Sequence, residues 1–200
     1  MNSSLNKFFF LVFFSCCLYK FTNAQNQNKP QVSLVYGTKY IFSIETPANW
    51  TIERDMKQEI GFVSIYRPNT ETRENINNSF YAGGLDKKTA GENINDIILQ
   101  DFKKLTIENP NLAYDTTQVN VNDDFRKAII YSFYGFSDKH REEILYSETD
   151  DAFIIIKFSA KSEEDFAKYK PDFNKFINSF RYKGNDPNQF IEFMKNKQKN

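Results

Sequence analysis

The chain holds a single imidazole, His140, in the polar run Ser137-Asp138-Lys139-His140 just before Arg141-Glu142-Glu143. A histidine beside carboxylates is raw material for acid–base catalysis or for a metal centre. Both chemistries recruit more: a triad adds a nucleophile, and a zinc site adds further nitrogen or sulfur ligands. The pattern around His140 shows neither, so His140 is expected as a solvated turn residue. Glu142-Glu143 and Glu148 invite a paired-carboxylate reading. Strand alternation would put Glu142 and Glu148 on one face with Ile144 and Tyr146, and solvated strand positions account for them. Asp123-Asp124 and Asp150-Asp151 lack the spaced oxygen ligands of a calcium loop, and Asp is an expected turn residue. Gly83-Gly84 lacks the context of a phosphate loop and reads as a turn that ends a strand. Trp50 can stack on a ligand, but beside Pro47 it reads as a core aromatic at the sheet edge. Asn49-Trp50-Thr51 and Asn77-Asn78-Ser79 are glycosylation sequons, relevant only to a eukaryotic secretory route. No residue is assigned a catalytic, cofactor-binding or metal-binding role. No cofactor is expected, and the chain is expected not to be an enzyme.

The first residues carry an address. Lys7 precedes an apolar run from Phe8 to about Tyr19, and Thr22-Asn23-Ala24 places small residues at −3 and −1. This is the layout of a signal peptide over residues 1–24, cleaved between Ala24 and Gln25. The run is shorter than the ~20 residues of a membrane span. A lipoprotein signal with Cys16 as acceptor is the alternative, although Phe13 stands where Leu is usual. Cys16 and Cys17, the only cysteines, would leave with the signal, so no disulfide or thiol chemistry is expected of the mature chain. Lys7 and Lys20 would leave too, and no acid would. The remaining chain is therefore slightly acidic, which excludes a general nucleic-acid partner. The expected place is periplasmic or secreted, without a transmembrane span in the mature chain.

Periodicity supplies the elements. Residues 25–33 are polar and read as a flexible leader. Strands are expected at 39–45, 51–53, 60–66 and 79–83, with an exposed, mobile loop at 69–78. Thr89-Ala90-Gly91-Glu92 fits a capping box, and Ile94, Ile97, Ile98, Phe102 and Leu105 recur at helical spacing. This predicts one amphipathic helix over 90–108. A weaker strand is expected at 112–121. Residues 125–136, 141–149 and 152–160 follow as a meander joined by polar turns. The first and third are apolar on both faces, so the sheet must be covered on both sides. The charged ends of 141–149 place it nearer an exposed rim. A helix over 162–180 follows, with an aromatic stripe and a kink or break near Tyr169 caused by Pro171. Residues 189–195 read as a further helical turn or two.

The order of these elements resembles a known family. Phe42-Ser43-Ile44-Glu45-Thr46-Pro47-Ala48-Asn49-Trp50 looks like the "F-S-I-x-x-P-x-x-W" opening strand of PsbP-like proteins. Ile177-Asn178-Ser179-Phe180-Arg181-Tyr182 resembles the family's closing "I-x-x-S-F-R/K-F/Y". The resemblance implies an α+β fold. An antiparallel sheet of about six to seven strands lies between helical layers, as in the Ran-binding Mog proteins. The domain would cover 34–183, with a tail and short helix at 184–200. It also implies an accessory or binding role, since plant and cyanobacterial members are extrinsic photosystem subunits and the Mog branch binds a GTPase. No functional motif of the family is matched, and no functional residue is carried over. The expected role is an exported accessory or binding protein that meets a cell-envelope protein through a sheet edge or the 69–78 loop. The alternative is a carrier of a lipid or other apolar small molecule, or an enzyme with an unrecognised site. A pocket holding His140 or clustered carboxylates would favour the alternative.

Overall fold

Aromatic and β-branched residues alternating along short runs form sheets, and here they form two. The structure, a computed structural model, describes residues 31–54, 64–91, 93–119 and 128–197. The chain divides into the units Met1–Gln31 and Val32–Asn200. Of the first, only Gln31 is among the described residues, and the architecture below belongs to the second. The expected signal peptide, its Ala24–Gln25 junction and Asp123-Asp124 lie outside the described residues.

The element order is β1 (Gln31–Tyr36), β2 (Ile41–Thr46), β3 (Trp50–Arg54), β4 (Ser64–Pro68), β5 (Ser79–Asp86), α1 (Lys87–Ala90), α2 (Ile94–Glu108), β6 (Ala113–Val119), β7 (Ala128–Tyr134), β8 (Arg141–Glu148), β9 (Ala152–Ala160), α3 (Glu163–Asn178), β10 (Arg181–Gly184) and α4 (Pro187–Lys197). A seven-stranded antiparallel sheet runs β3-β4-β5-β9-β8-β7-β6, and a three-stranded sheet runs β1-β2-β10. This is the α+β arrangement expected, with the small sheet as an addition. Among the described residues no helix is long and apolar enough to cross a membrane.

The two faces of the large sheet are covered differently. On one face α3 and β2 close a core that includes Phe42, Trp50, Tyr66, Phe80, Phe158, Phe173, Phe176 and Phe180. Burying each such ring contributes roughly 1.5–3 kcal/mol. Trp50 stacks on Phe80 at 3.8 Å, and its indole N–H donates to Asp172 Oδ2 at 3.2 Å. Trp50 is thus the core residue its position predicted. The other face carries Phe133, Ile144, Tyr146 and Phe153 and is covered by α2 through Ile97 and Ile98, with Phe102 and Leu105 only half-buried.

The two signature motifs are joined physically. Ser179 at the end of α3 donates to Phe176 O at 2.7 Å and accepts from Glu45 N at 2.9 Å, which ties the helix to β2. Phe180 packs on Phe42 with centroids 4.9 Å apart, and β10 then pairs with β2 through Arg181–Ser43 and Tyr182–Phe42. The opening and closing runs therefore converge on one sheet.

Several expectations need correcting. Gln31–Ser33, read as leader, belong to strand β1. Gly83-Gly84 does not end β5, which continues to Asp86. A side chain at Gly84 would put its Cβ 2.6 Å from Phe153 O and 3.0 Å from Tyr40 Cε1, so glycine permits this close approach. The single helix over 90–108 is two. Asp86 caps α1, Gly91 turns the chain at φ 104°, and Asn93 caps α2 by accepting from Asn95 N. Only glycine adopts that φ at little cost. Helix α3 runs unbroken through Pro171. The 69–78 loop folds around Glu71, whose carboxylate accepts from the backbone of Asn77 (2.6 Å) and Asn78 (3.1 Å). Asn78 is buried there, so the loop is exposed only in part. Strand β8 is not at a rim: it lies between β9 and β7, and its Glu142 and Glu143 are buried.

Candidate functional site

Strand β8 carries Glu142, Ile144 and Tyr146 on the α2 face. The antiparallel register sets Ile144 beside Lys157 and Tyr146 beside Ile155 of β9. Helix α2 spans this surface. Its hold at the inner end is a hydrogen bond from the Tyr146 hydroxyl to Asp101 Oδ2 at 2.8 Å. Burial, then the Asp101 carboxylate, drive the Tyr146 pKa far above the ordinary tyrosine value, so the hydroxyl stays a donor. Toward its C-terminal end α2 leaves a cleft of about 360 Å³. Asp101, Lys104, Leu105, Glu108 and Asn109 form the helix wall. Glu142, Ile144, Ile155 and Lys157 form the sheet wall, and Phe136 and His140 complete the lining.

The turn between β7 and β8 delivers His140. Lys139 adopts φ 65°, and Asp138 Oδ1 accepts from His140 N at 3.2 Å, folding the chain back on itself. The imidazole then stacks on Phe136 at 3.6 Å. Its Nδ1 lies 2.5 Å from Asp138 Oδ1, and its Nε2 lies 3.6 Å from Glu142 Oε1. Lys157 Nζ reaches the same Glu142 oxygen at 2.5 Å. Asp138, His140, Glu142 and Lys157 thus form a chain of alternating charge. Burial pulls the His140 pKa down, but its contacts with Glu142 and Asp138 more than offset this, so the pKa lies above the ordinary 6.5. Burial pushes Glu142 up, and His140 and Lys157 outweigh it, leaving its pKa below the ordinary 4.5. Glu142 is therefore an anion at neutral pH, 6% exposed, and its Oε2 is buried without a hydrogen bond from any described residue.

Both imidazole nitrogens of His140 face carboxylates, Nδ1 that of Asp138 and Nε2 that of Glu142. No serine, threonine, cysteine or tyrosine is among the described residues that line the cleft. Sequence reasoning placed His140 and the glutamates in solvent, and the structure instead brings His140, Glu142, Asp101 and Glu108 to one cleft. Asp150-Asp151 and Glu148 stay outside it: Asp151 accepts from the Asn185 side chain, and Glu148 pairs with Lys87 at 3.3 Å. The signal that was available is Asp138-x-His140, an Asx turn that aims the ring back at Phe136. The partners Lys157 and Asp101 carry no local signal.

No family model matches the chain, and no curated protein matches it in sequence. Solved structures do match in shape. Cyanobacterial PsbP (CyanoP) from Synechocystis sp. PCC 6803 superposes with a TM-score of 0.55 at 11% identity, over 78% of this chain and 95% of that one. The fold is PsbP-like. A mutant of the protein Mog1 gives 0.48 at 11% identity, over 81% and 99% of the two chains. The Ran-binding protein Mog1p of Saccharomyces cerevisiae gives 0.44 at 11% identity, over 76% and 96%. At this identity the likeness to PsbP concerns the fold. The cleft is described from this chain's own residues.

Proposed function

We propose that this chain is an exported, non-enzymatic accessory or binding protein of PsbP-like fold, processed between Ala24 and Gln25. It would engage its partner in the cell envelope through the cleft between α2 and the β8–β9 surface. The observation that carries the reading is the cleft itself. It is concave, it mixes apolar walls with convergent charges, and one oxygen of its central carboxylate accepts no hydrogen bond from any described residue. This moves the expected docking place away from the sheet edges and the 69–78 loop. Support for binding over catalysis comes from the engaged His140 ring, with no hydroxyl or thiol side chain among the described lining residues for it to activate.

The test is a block of the cleft. Lys104 is exposed on the helix wall, so Lys104→Trp should fill the opening and leave the core intact. Wild type and variant are compared in capture from the envelope fraction of the source organism and in native mass spectrometry of co-purifying molecules. The expected result is a partner or ligand held by the wild type and lost by the variant. An identical captured set for both would place recognition elsewhere on the molecule.

A further inference from the structure

We infer that two copies of the chain associate through the outer edge of β6, each pairing its β6 antiparallel with the other's about a two-fold axis at Thr116. The cleft lies along the opposite flank of α2 and takes no part. Strand β6 ends the large sheet, and among the described residues no strand pairs with its outer edge. Residues 114–118 are exposed, on both faces of the strand. Natural sheets blunt such an edge by shortening it, by lysine or proline, or by a bulge. Strand β6 runs for seven residues and contains neither lysine nor proline. Its register with β7 is regular from the Ala113 and Tyr134 pair to the Val119 and Ala128 pair. Tyr114, Thr116 and Thr117 are strand formers. The other end of the sheet is better protected. There β3 has five residues, Trp50 is buried, residues 51–53 are half-buried, and Glu53 pairs with Arg67 of β4 at 2.7 Å.

The edge is complementary to itself. A two-fold axis at Thr116, the middle residue, pairs every position of the strand: Thr116 with Thr116, Asp115 with Thr117, Tyr114 with Gln118 and Ala113 with Val119. Threonine opposite threonine is a favourable cross-strand pair, and no charge stands directly opposite its like. The two Asp115 carboxylates are diagonal neighbours at about 7–8 Å, in solvent that keeps their repulsion small. The flank of α2 above this edge is apolar. Asp101 meets Tyr146 on β8, whereas Phe102 meets Tyr114 on β6 and Tyr131 on β7. Leu99 lies one turn before Phe102, on the side away from Asp101, and so projects past β6. It is 64% exposed, and Tyr114 beneath Phe102 is 50% exposed. The short connection 109–112 reverses the chain, so α2 runs back along β6 and Leu99 sits toward Thr116. Antiparallel pairing brings both α2 helices to one face of a continuous sheet, where the two Leu99 side chains meet near the axis. The seven residues span about 23 Å. With one helix layer above, the contact buries roughly 1,000 Å² in total, the lower bound for a specific interface, so dissociation in the micromolar range is expected.

The experiment measures self-association of the full chain by sedimentation velocity from about 1 μM to about 500 μM. Wild type should pass reversibly from monomer to dimer across this range. Thr116→Lys, at an exposed position, sets two ammonium groups against each other at the axis and should weaken the dimer about tenfold or more. Thr116→Asp should do the same with two carboxylates. An equimolar mixture of the two variants places opposite charges across the axis and should recover association to wild-type strength or better, which also shows that both variants are folded. Leu99→Ser should weaken the dimer about tenfold through the helix contact. Lys104→Trp, on the cleft flank, should leave it unchanged. A monomer throughout the range overturns the inference. Association that both Thr116 variants leave intact, or that their mixture fails to restore, overturns it as well, because the contact would then lie elsewhere. Loss of association in Lys104→Trp would place the self-contact in the cleft and overturn it too. A wild-type dimer that captures nothing at the cleft leaves the edge assignment standing and removes only the reading of the cleft.

Discussion

Glu142 and Glu143 are neighbours on one strand, both buried, and the fold treats them differently. Glu143 points to the α3 face. Its Oε1 accepts from Ser132 at 2.6 Å and its Oε2 from Lys170 on α3. Glu142 points to the α2 face, where one oxygen is shared by two cations and the other is buried with no hydrogen bond from any described residue. The faces differ in the same sense. Under α3 the aromatic core is sealed, with Phe173 and Phe176 fully buried. Under α2, Phe102 and Leu105 are half-buried and a cleft remains. The carboxylate on the α3 face has both oxygens paired, and the one on the α2 face has an oxygen that no described residue pairs. A buried carboxylate is a structural part when the protein satisfies both oxygens. It becomes a candidate site when the protein satisfies one.

The largest expected effect tests the difference in packing. Phe173→Ala empties a fully buried position and should cost about 3–5 kcal/mol. Phe102→Ala removes a ring from the open face that still touches Tyr114, Tyr131 and Phe133. Its loss should be roughly half as large, because part of that ring is already in water. Denaturant midpoints at matched slopes decide it. Equal losses would mean that the α2 face is sealed in solution and that the contrast is false.

A smaller effect separates the two carboxylates. Glu143→Gln replaces an anion that holds Ser132 and Lys170 and should cost roughly 2–3 kcal/mol, discounted because Lys170 retains contact with water. Glu142→Gln loses Lys157 and His140 contacts but also removes a desolvated charge whose buried Oε2 no described residue pairs, so roughly 1 kcal/mol or less is expected. The same pair of unfolding curves reports both values. If Glu142→Gln is the more damaging change, Glu142 is a structural ion pair and its unpaired oxygen carries no functional meaning.

How much of this was legible depends on how local the cause is. The meander β7–β9 and the stripe along α3 show in spacing alone, because a strand or helix repeats its burial within a few residues. The cover on both faces followed from strands that are apolar on both sides, such as Phe153–Phe158 in β9. The split between α1 and α2 was misread because the capping-box pattern masked Gly91, whose backbone turn decides the break. The site was misread for a different reason. Glu142 and Glu143 look solvated in sequence, and what allows their burial comes from Lys157 on the next strand and Lys170 on a helix beyond it. Charge compensation across that separation leaves no periodic trace. Burial of β8 had the same origin, since only the strand order places it inside the sheet.

The smallest effect reads the electrostatics of the open face. His140 has a folded-state pKa above 6.5, so its contribution to stability is complete below that value and is lost as pH rises through the folded value. Glu142 has a pKa below 4.5, so its contribution is complete above that value and is lost as pH falls through the lower folded value. Their contact is therefore strongest between 4.5 and 6.5. Asp138 and Phe136 also face the ring, and both favour its charged form. Lys157 opposes it through the shared oxygen. The ring is partly solvated, so screening keeps the net effect small. In urea unfolding from about pH 5.5 to about pH 9, the stability advantage of wild type over His140→Gln should shrink as pH rises. Glu142→Gln should lower the imidazole pKa read by NMR and flatten that dependence in part, with Asp138 sustaining the remainder. A dependence that persists unchanged in His140→Gln would assign it to other groups, and the alternating chain at the cleft would then be a static arrangement of charges.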